Sequence, residues 1–192
     1  MRVFIAVLVL IFSLQSWTKA DDIRDFEIEG ISIGDSALDF FSEKDIKKNS
    51  KPYYKNKKYT PVQNDNYPFF KTYYAVDFRY KTNDTKYKIV GLSGIIDYRN
   101  KKISECKKQL KQIFNEIEAM FPNWEKEKVK TTNHDADPSG KSKHTETSFW
   151  SNEGVIAVSC TDYSEEHGGQ DHLSVNLKTK KFNNFLINEA YK

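Results

Sequence analysis

The clearest pattern in this chain is a 3.6-residue period. Ile103, Cys106, Leu110, Ile113, Phe114, Ile117, Met120 and Phe121 recur at three- and four-residue steps, with Lys107, Lys108, Lys111, Asn115 and Glu118 between them. That spacing predicts an amphipathic helix over 103–121 with one buried face, stopped by Pro122. Elsewhere the period is two. Tyr74, Val76, Phe78 and Tyr80 alternate with polar residues over 73–81, Asn83-Asp84 marks a turn, and 86–99 carries Tyr87, Ile89, Val90, Leu92, Ile95, Ile96 and Tyr98. Together they predict an antiparallel hairpin, with Gly91 and Gly94 marking a bulge or a close packing point. A second hairpin is expected from 145–150 and 154–163, and a further strand over 172–178, where Leu173, Val175 and Leu177 align.

Weaker patterns fill in the rest. Residues 21–34 alternate loosely and predict a short first strand with Phe26, Ile28, Ile31 and Ile33 facing inward. Gly34-Asp35-Ser36 then reads as a helix start, the helix running to about Lys48 with Asp35 or Ser36 as cap. Residues 49–72 are punctuated by Pro52, Pro61 and Pro68 and read as irregular, with room for a short strand near 53–60. A strand is expected over 126–132, and Phe182, Phe185, Leu186 and Glu189 suit a short C-terminal helix. The expected fold is α+β in a single domain over 21–192. It has an antiparallel sheet of five to seven strands, the long amphipathic helix packed on one face and the other face wet.

The first twenty residues stand apart. A basic start at Met1-Arg2, an apolar run over 3–14 and a small residue at Ala20 have the layout of a cleavable secretory signal, with cleavage expected after Ala20. The run is shorter than the roughly 20 residues that span a bilayer, and 21–192 holds no longer one, so no transmembrane segment is expected in the mature chain. The expected location is the periplasm or the medium. Without Arg2 and Lys19 the balance is 28 basic to 27 acidic groups, which gives no push toward a nucleic-acid partner. Only four residues are Arg, so bidentate clamps for phosphate or carboxylate are scarce.

Two cysteines in an exported chain suggest a bridge. Cys106 lies on the apolar stripe of the long helix and Cys160 shares a strand face with Ile156 and Val158, so a helix on that face brings the sulfurs together. A Cys106–Cys160 disulfide is therefore expected. The alternative is a pair of buried thiols.

Candidate chemistry is sparse. His134, Asp135 and Asp137 share a loop with His144 nearby, and His167, Asp171 and His172 form a second group. Such side chains can hold a divalent ion, but the spacing matches no metal signature, and the calcium-loop pattern fails because no Gly or Glu stands where it requires one. Solvated loop residues are the simpler account. There is no G-x-S-x-G turn and no phosphate loop, and no cofactor is implied. Lys51, Tyr53, Tyr54, Lys57, Lys58 and Tyr59 make a basic, aromatic segment that could grip a ligand. The plainer account is a solvated face whose tyrosines pack on the core by their rings.

Three stretches carry a resemblance: 26–36 (FEIEGISIGDS), 87–98 (YKIVGLSGIIDY) and 158–163 (VSCTDY). They resemble a group of small exported proteins of unknown function from AT-rich marine alphaproteobacteria. The resemblance covers nearly all of 21–192 and implies export but no activity. Ile33-Gly34-Asp35-Ser36 is also similar to the strand–Gly–helix opening of β-lactamase inhibitor protein-like domains and of small envelope-assembly lipoproteins, without the lipidated Cys of the latter. The expected function is a non-catalytic binding or interaction protein of the envelope, holding a protein or a small ligand. The alternative is a hydrolase or metal-dependent protein built on loops 134–144 and 167–172.

Overall fold

The computed structural model describes residues 22–65, 67–99 and 102–192; the signal expected over 1–20 lies outside them. One antiparallel sheet of eight strands organises the chain: β1 (Tyr59–Val62), β2 (Ala75–Lys81), β3 (Ile89–Asp97), β4 (Glu125–Lys126), β5 (Lys130–Asn133), β6 (Lys143–Trp150), β7 (Gly154–Asp162) and β8 (His172–Thr179). Their order is β1-β2-β3-β8-β7-β6-β4, with β5 also on β6. The two expected hairpins, β2–β3 and β6–β7, are both present, and β8 joins them by pairing with β3 on one side and β7 on the other.

The strand count exceeds the expected five to seven. One cause is that the single strand expected over 126–132 is two. Lys126 pairs Phe149 and Lys130 pairs Glu146, so four steps along the outer strand oppose three along β6. The extra residue breaks the ladder between β4 and β5 as a bulge does.

Register sorts the side chains into two faces. Val76, Phe78, Leu92, Val175, Leu177, Ile156, Val158 and Phe149 share the inner face, and all are buried. The long helix is α2 (Ile103–Met120), and it lies on this face through Cys106, Leu110 and Ile117. Cys106 and Cys160 are bonded, with Cα atoms 6.0 Å apart. Closing a loop of this length stabilises a fold by about 4 kcal/mol on the chain-entropy account.

The N-terminal segment also covers the inner face, but not as expected. In place of a strand, Ile23–Asp25 forms a 3₁₀ turn and Ile28 pairs Ile31 across a two-residue turn at Glu29-Gly30. Both turn residues have positive φ (54° and 77°), the twist that a tight hairpin needs. Ile28, Ile31 and Ile33 are buried as anticipated. The helix expected to run from 35 to 48 is broken. Ser36 caps only a 3₁₀ turn, Ala37–Asp39, and Ser42 opens a separate helix, α1 (Glu43–Asn49), its hydroxyl accepting from the Asp45 N–H. Two serines competing as caps leave Leu38 in solvent, 44% exposed, between them.

The second departure concerns the outer face. The C-terminal helix, α3 (Lys180–Asn188), follows β8 directly, with Thr179 as cap, and folds back over that face. Phe182 rests on Gly91, where a Cβ would come within 2.6 Å of the ring, which is why this strand position is glycine. Phe182 and Phe185 gather Tyr54, Tyr59, Val90 and Ala190 into a small second core. The sheet is thus covered on one face by α2 and partly on the other by α3.

Candidate functional site

The two histidine loops meet. Tyr163, just past β7, has the His134 ring at 4.9 Å, a stacked His167 at 4.8 Å and His172 at 6.1 Å, while His144 lies 6.1 Å from His134. These are all four histidines of the chain. The Ala136 N–H donates to His134 Nδ1 (3.3 Å), so the ring proton sits on Nε2, 3.3 Å from the Tyr163 hydroxyl. Burial, reinforced by His144 and His167, holds the His134 pKa below its usual value.

The carboxylates expected to accompany these histidines have other duties. Asp137 accepts from the Ser142 hydroxyl (2.5 Å) and N–H (2.9 Å), the Ser139 N–H (2.9 Å) and the Ser164 hydroxyl (3.1 Å), and these bonds push its pKa far down. Asp171 accepts from the Tyr163 N–H at 2.7 Å. Asp135 is exposed. Asp137 ties the two loops together through Ser164, while Asp171 closes its own loop. Among the described residues no group of three or more His, Cys, Asp or Glu side chains is placed to hold a metal ion.

The basic aromatic segment splits in two. Tyr54 is buried and Tyr59 half-buried, both edge-on to Phe182 and Phe185. Lys58 pairs with Glu189 at 3.1 Å. Lys51, Tyr53 and Lys57 stay exposed, and Lys51 and Lys57 flank a shallow cleft of about 320 Å³ with Tyr54, Tyr59 and Pro61. The segment is chiefly the wall of the second core.

The most organised polar region lies on the outer face beyond α3, and the sequence pattern did not single it out. Arg79 Nη1 donates to Ser93 Oγ (2.6 Å), which donates to Asn176 Oδ1 (2.7 Å). Asn176 Nδ2 donates to Ser174 Oγ (2.9 Å), and the Ser174 and Ser159 hydroxyls lie 2.8 Å apart. This chain of bonds crosses β2, β3, β8 and β7 in one line. Its serines are nearly inaccessible (Ser159 2%, Ser93 5%, Ser174 8%), although no helix covers them. Longer neighbours rise around a floor of small side chains: Arg79, Lys178, Glu146 and His144 are half-buried on the same face.

Charges alternate on this rim. Burial raises the Asp77 pKa, and Arg79 partly offsets it. A His144 contact at 3.4 Å lowers that of Glu146 against its burial, with help from Lys178 and Lys130. Lys178 is the outlier. Burial pulls its pKa down, Glu146 opposes the pull without cancelling it, and Arg79 adds a smaller push downward. The Lys178 ammonium makes no hydrogen bond or salt bridge to any described residue. A half-buried cation with no hydrogen-bonded partner, attracted to Glu146 only through space and facing aligned hydroxyls and an amide, is arranged to receive an acceptor group from outside the chain. A sequence signal existed: the outward positions of β7 and β8 are Ala157, Ser159, Thr161, Ser174 and Asn176, not the Lys and Glu usual on a wet face. Only the strand order shows that they adjoin.

No protein-family model matches this chain, and neither does any curated protein or solved structure. Among the described residues no helix is long and apolar enough to cross a membrane.

Proposed function

We propose that the chain is an exported, non-catalytic binding module of the envelope, and that its ligand carries a carboxylate or phosphate group held on the outer sheet face. The observation that carries this reading is Lys178, an unpaired and half-buried ammonium beside Arg79 and the hydrogen-bonded line Ser93–Asn176–Ser174–Ser159. An anion placed there would relieve the cost of the unpaired cation, as a charge-assisted hydrogen bond does. The Cys106–Cys160 bond favours an oxidising compartment, in keeping with a signal at 1–20 and with the resemblance to small exported proteins.

The test is an amide NMR titration with glutamate and with glycerol phosphate. The expected result is saturable shifts at Ser93, Ser174 and Asn176 that vanish in Lys178→Met. Shifts confined to the His134 and His167 loops, or shifts unchanged in Lys178→Met, would overturn the reading. One observation favours a hydrolase or metal-dependent protein instead, namely the meeting of loops 134–144 and 167–172 around Tyr163. Against it, the Asp137 and Asp171 carboxylates are already occupied, Asp137 by Ser142 and by Ser164 of the other loop and Asp171 by the Tyr163 N–H.

A further inference from the structure

On the opposite side of the molecule, α2 leaves an opening beside the outer strands. The helix sits on β7 and β8, so its flank at Lys107, Lys111 and Phe114 overhangs the inner face of β5 and β6. The result is a groove of about 420 Å³, within the range of small-molecule sites. Leu110 and Thr145 form its buried floor, and the Phe114 ring, 5.0 Å from Phe149, closes one side. Val129 forms the other wall and is 52% exposed, so its apolar side chain is open to a ligand in the groove. The two threonines in the groove bond each other, Thr131 Oγ1 to Thr145 Oγ1 at 2.9 Å, so their hydroxyls make no demand on a ligand.

The groove has a charged rim on the helix side only. Lys107 and Lys111 are one turn apart and exposed, and neither stands in a salt bridge among the described residues. Lys107 lowers the Asp162 pKa electrostatically, against the larger upward push of burial and Asp171, without forming a salt bridge to it. A narrow apolar trough with paired cations along one lip matches a molecule that is apolar along its length and anionic at one end.

We propose that this groove takes a single-chain carboxylate amphiphile, with its hydrocarbon chain along Leu110, Phe114 and Val129 and its carboxylate on Lys107 and Lys111. Every methylene taken out of water adds to the affinity, so the chain supplies most of it and the lysines select the head group. The site is independent of the outer-face reading, since it lies across the sheet from Lys178.

The experiment uses the disulfide-bonded protein and dodecanoate below its micelle concentration, followed by methyl NMR and calorimetry. Dodecyltrimethylammonium serves as the head-group control. Saturable binding is expected, with shifts at Leu110, Val129 and Thr131 and a preference for dodecanoate. The double variant Lys107→Glu/Lys111→Glu should lose about tenfold in dodecanoate affinity and turn its preference to the ammonium amphiphile. Val129→Asp, at an exposed position that should leave the fold intact, should weaken dodecanoate by a similar ~10-fold while leaving Lys107 and Lys111 in place. Equal affinity for both head groups, shifts outside the groove, or no saturable binding would overturn the proposal.

Discussion

The two faces of the sheet solve the burial problem in opposite ways. The inner face is closed chiefly by apolar contact, with the Cys106–Cys160 bond across it: α2 and the N-terminal turns cover Phe78, Leu92, Val158 and Leu177 so fully that none retains measurable exposure. The outer face is nearly as inaccessible at Ser159 and Ser93, yet it is polar and its groups satisfy one another along a line of hydrogen bonds. Low accessibility thus has two origins in one molecule. The first rests on area removed from water, about 25 cal/mol per Å². The second contributes little net energy per bond but fixes where each polar atom points. Such fixed polar geometry is what a ligand site needs.

The sharpest way to break this contrast is a truncation on each face. Phe149→Ala empties the inner layer where the ring meets Phe114 and should cost about 3–5 kcal/mol in denaturant unfolding. Removing the bridge with Cys106→Ala/Cys160→Ala should cost about 2–5 kcal/mol by the same measurement. Asn176→Ala, in the middle of the polar line, should cost only about 1–2 kcal/mol, because Asn176 is itself half-buried and water filling its place can bond Ser93 and Ser174. A value as large as that of Phe149→Ala would mean the outer face is a second sealed core.

A fourth experiment concerns protons. The His134 pKa is depressed in the folded state, so the unfolded chain binds the proton more readily. Its contribution to stability is complete above the unfolded value near 6.5 and is lost as pH falls from there through the lower folded value. Unfolding free energy should therefore decline below about pH 6.5 in the wild type and decline less in His134→Gln. The smallest effect is expected from Lys178→Met. Replacing an unpaired, half-buried cation by an apolar side chain should leave stability unchanged or raise it by up to about 1 kcal/mol, while abolishing the anion response. A loss of stability there would show that Lys178 has a partner within the protein.

Much of the inner face was legible beforehand because periodicity reports burial directly. The stripe on 103–121, the alternation on 73–81 and 172–178, and the Cys106–Cys160 bridge all follow from which side chains avoid water. The misread segments are those where local geometry outweighs that signal. Ile28 and Ile31 are buried from a two-residue turn, not a strand, and the turn is held by Glu29, whose Oε1 accepts from the backbone N–H of Lys71 (2.9 Å), Thr72 (2.6 Å) and Tyr73 (2.9 Å). No spacing in the sequence announces a carboxylate that reaches 42–44 residues along the chain. The polar line on the outer face was hidden for a related reason. Its members come from four strands whose adjacency depends on where β8 inserts.

That insertion has a consequence for how the fold assembles. The two hairpins can each form from nearby residues, but each then presents an open edge, β3 in one and β7 in the other, with backbone donors and acceptors exposed. Only residues 172–179 can close both at once. Any form lacking this strand is two sticky half-sheets, and the order-making event is the arrival of a segment that follows both hairpins along the chain.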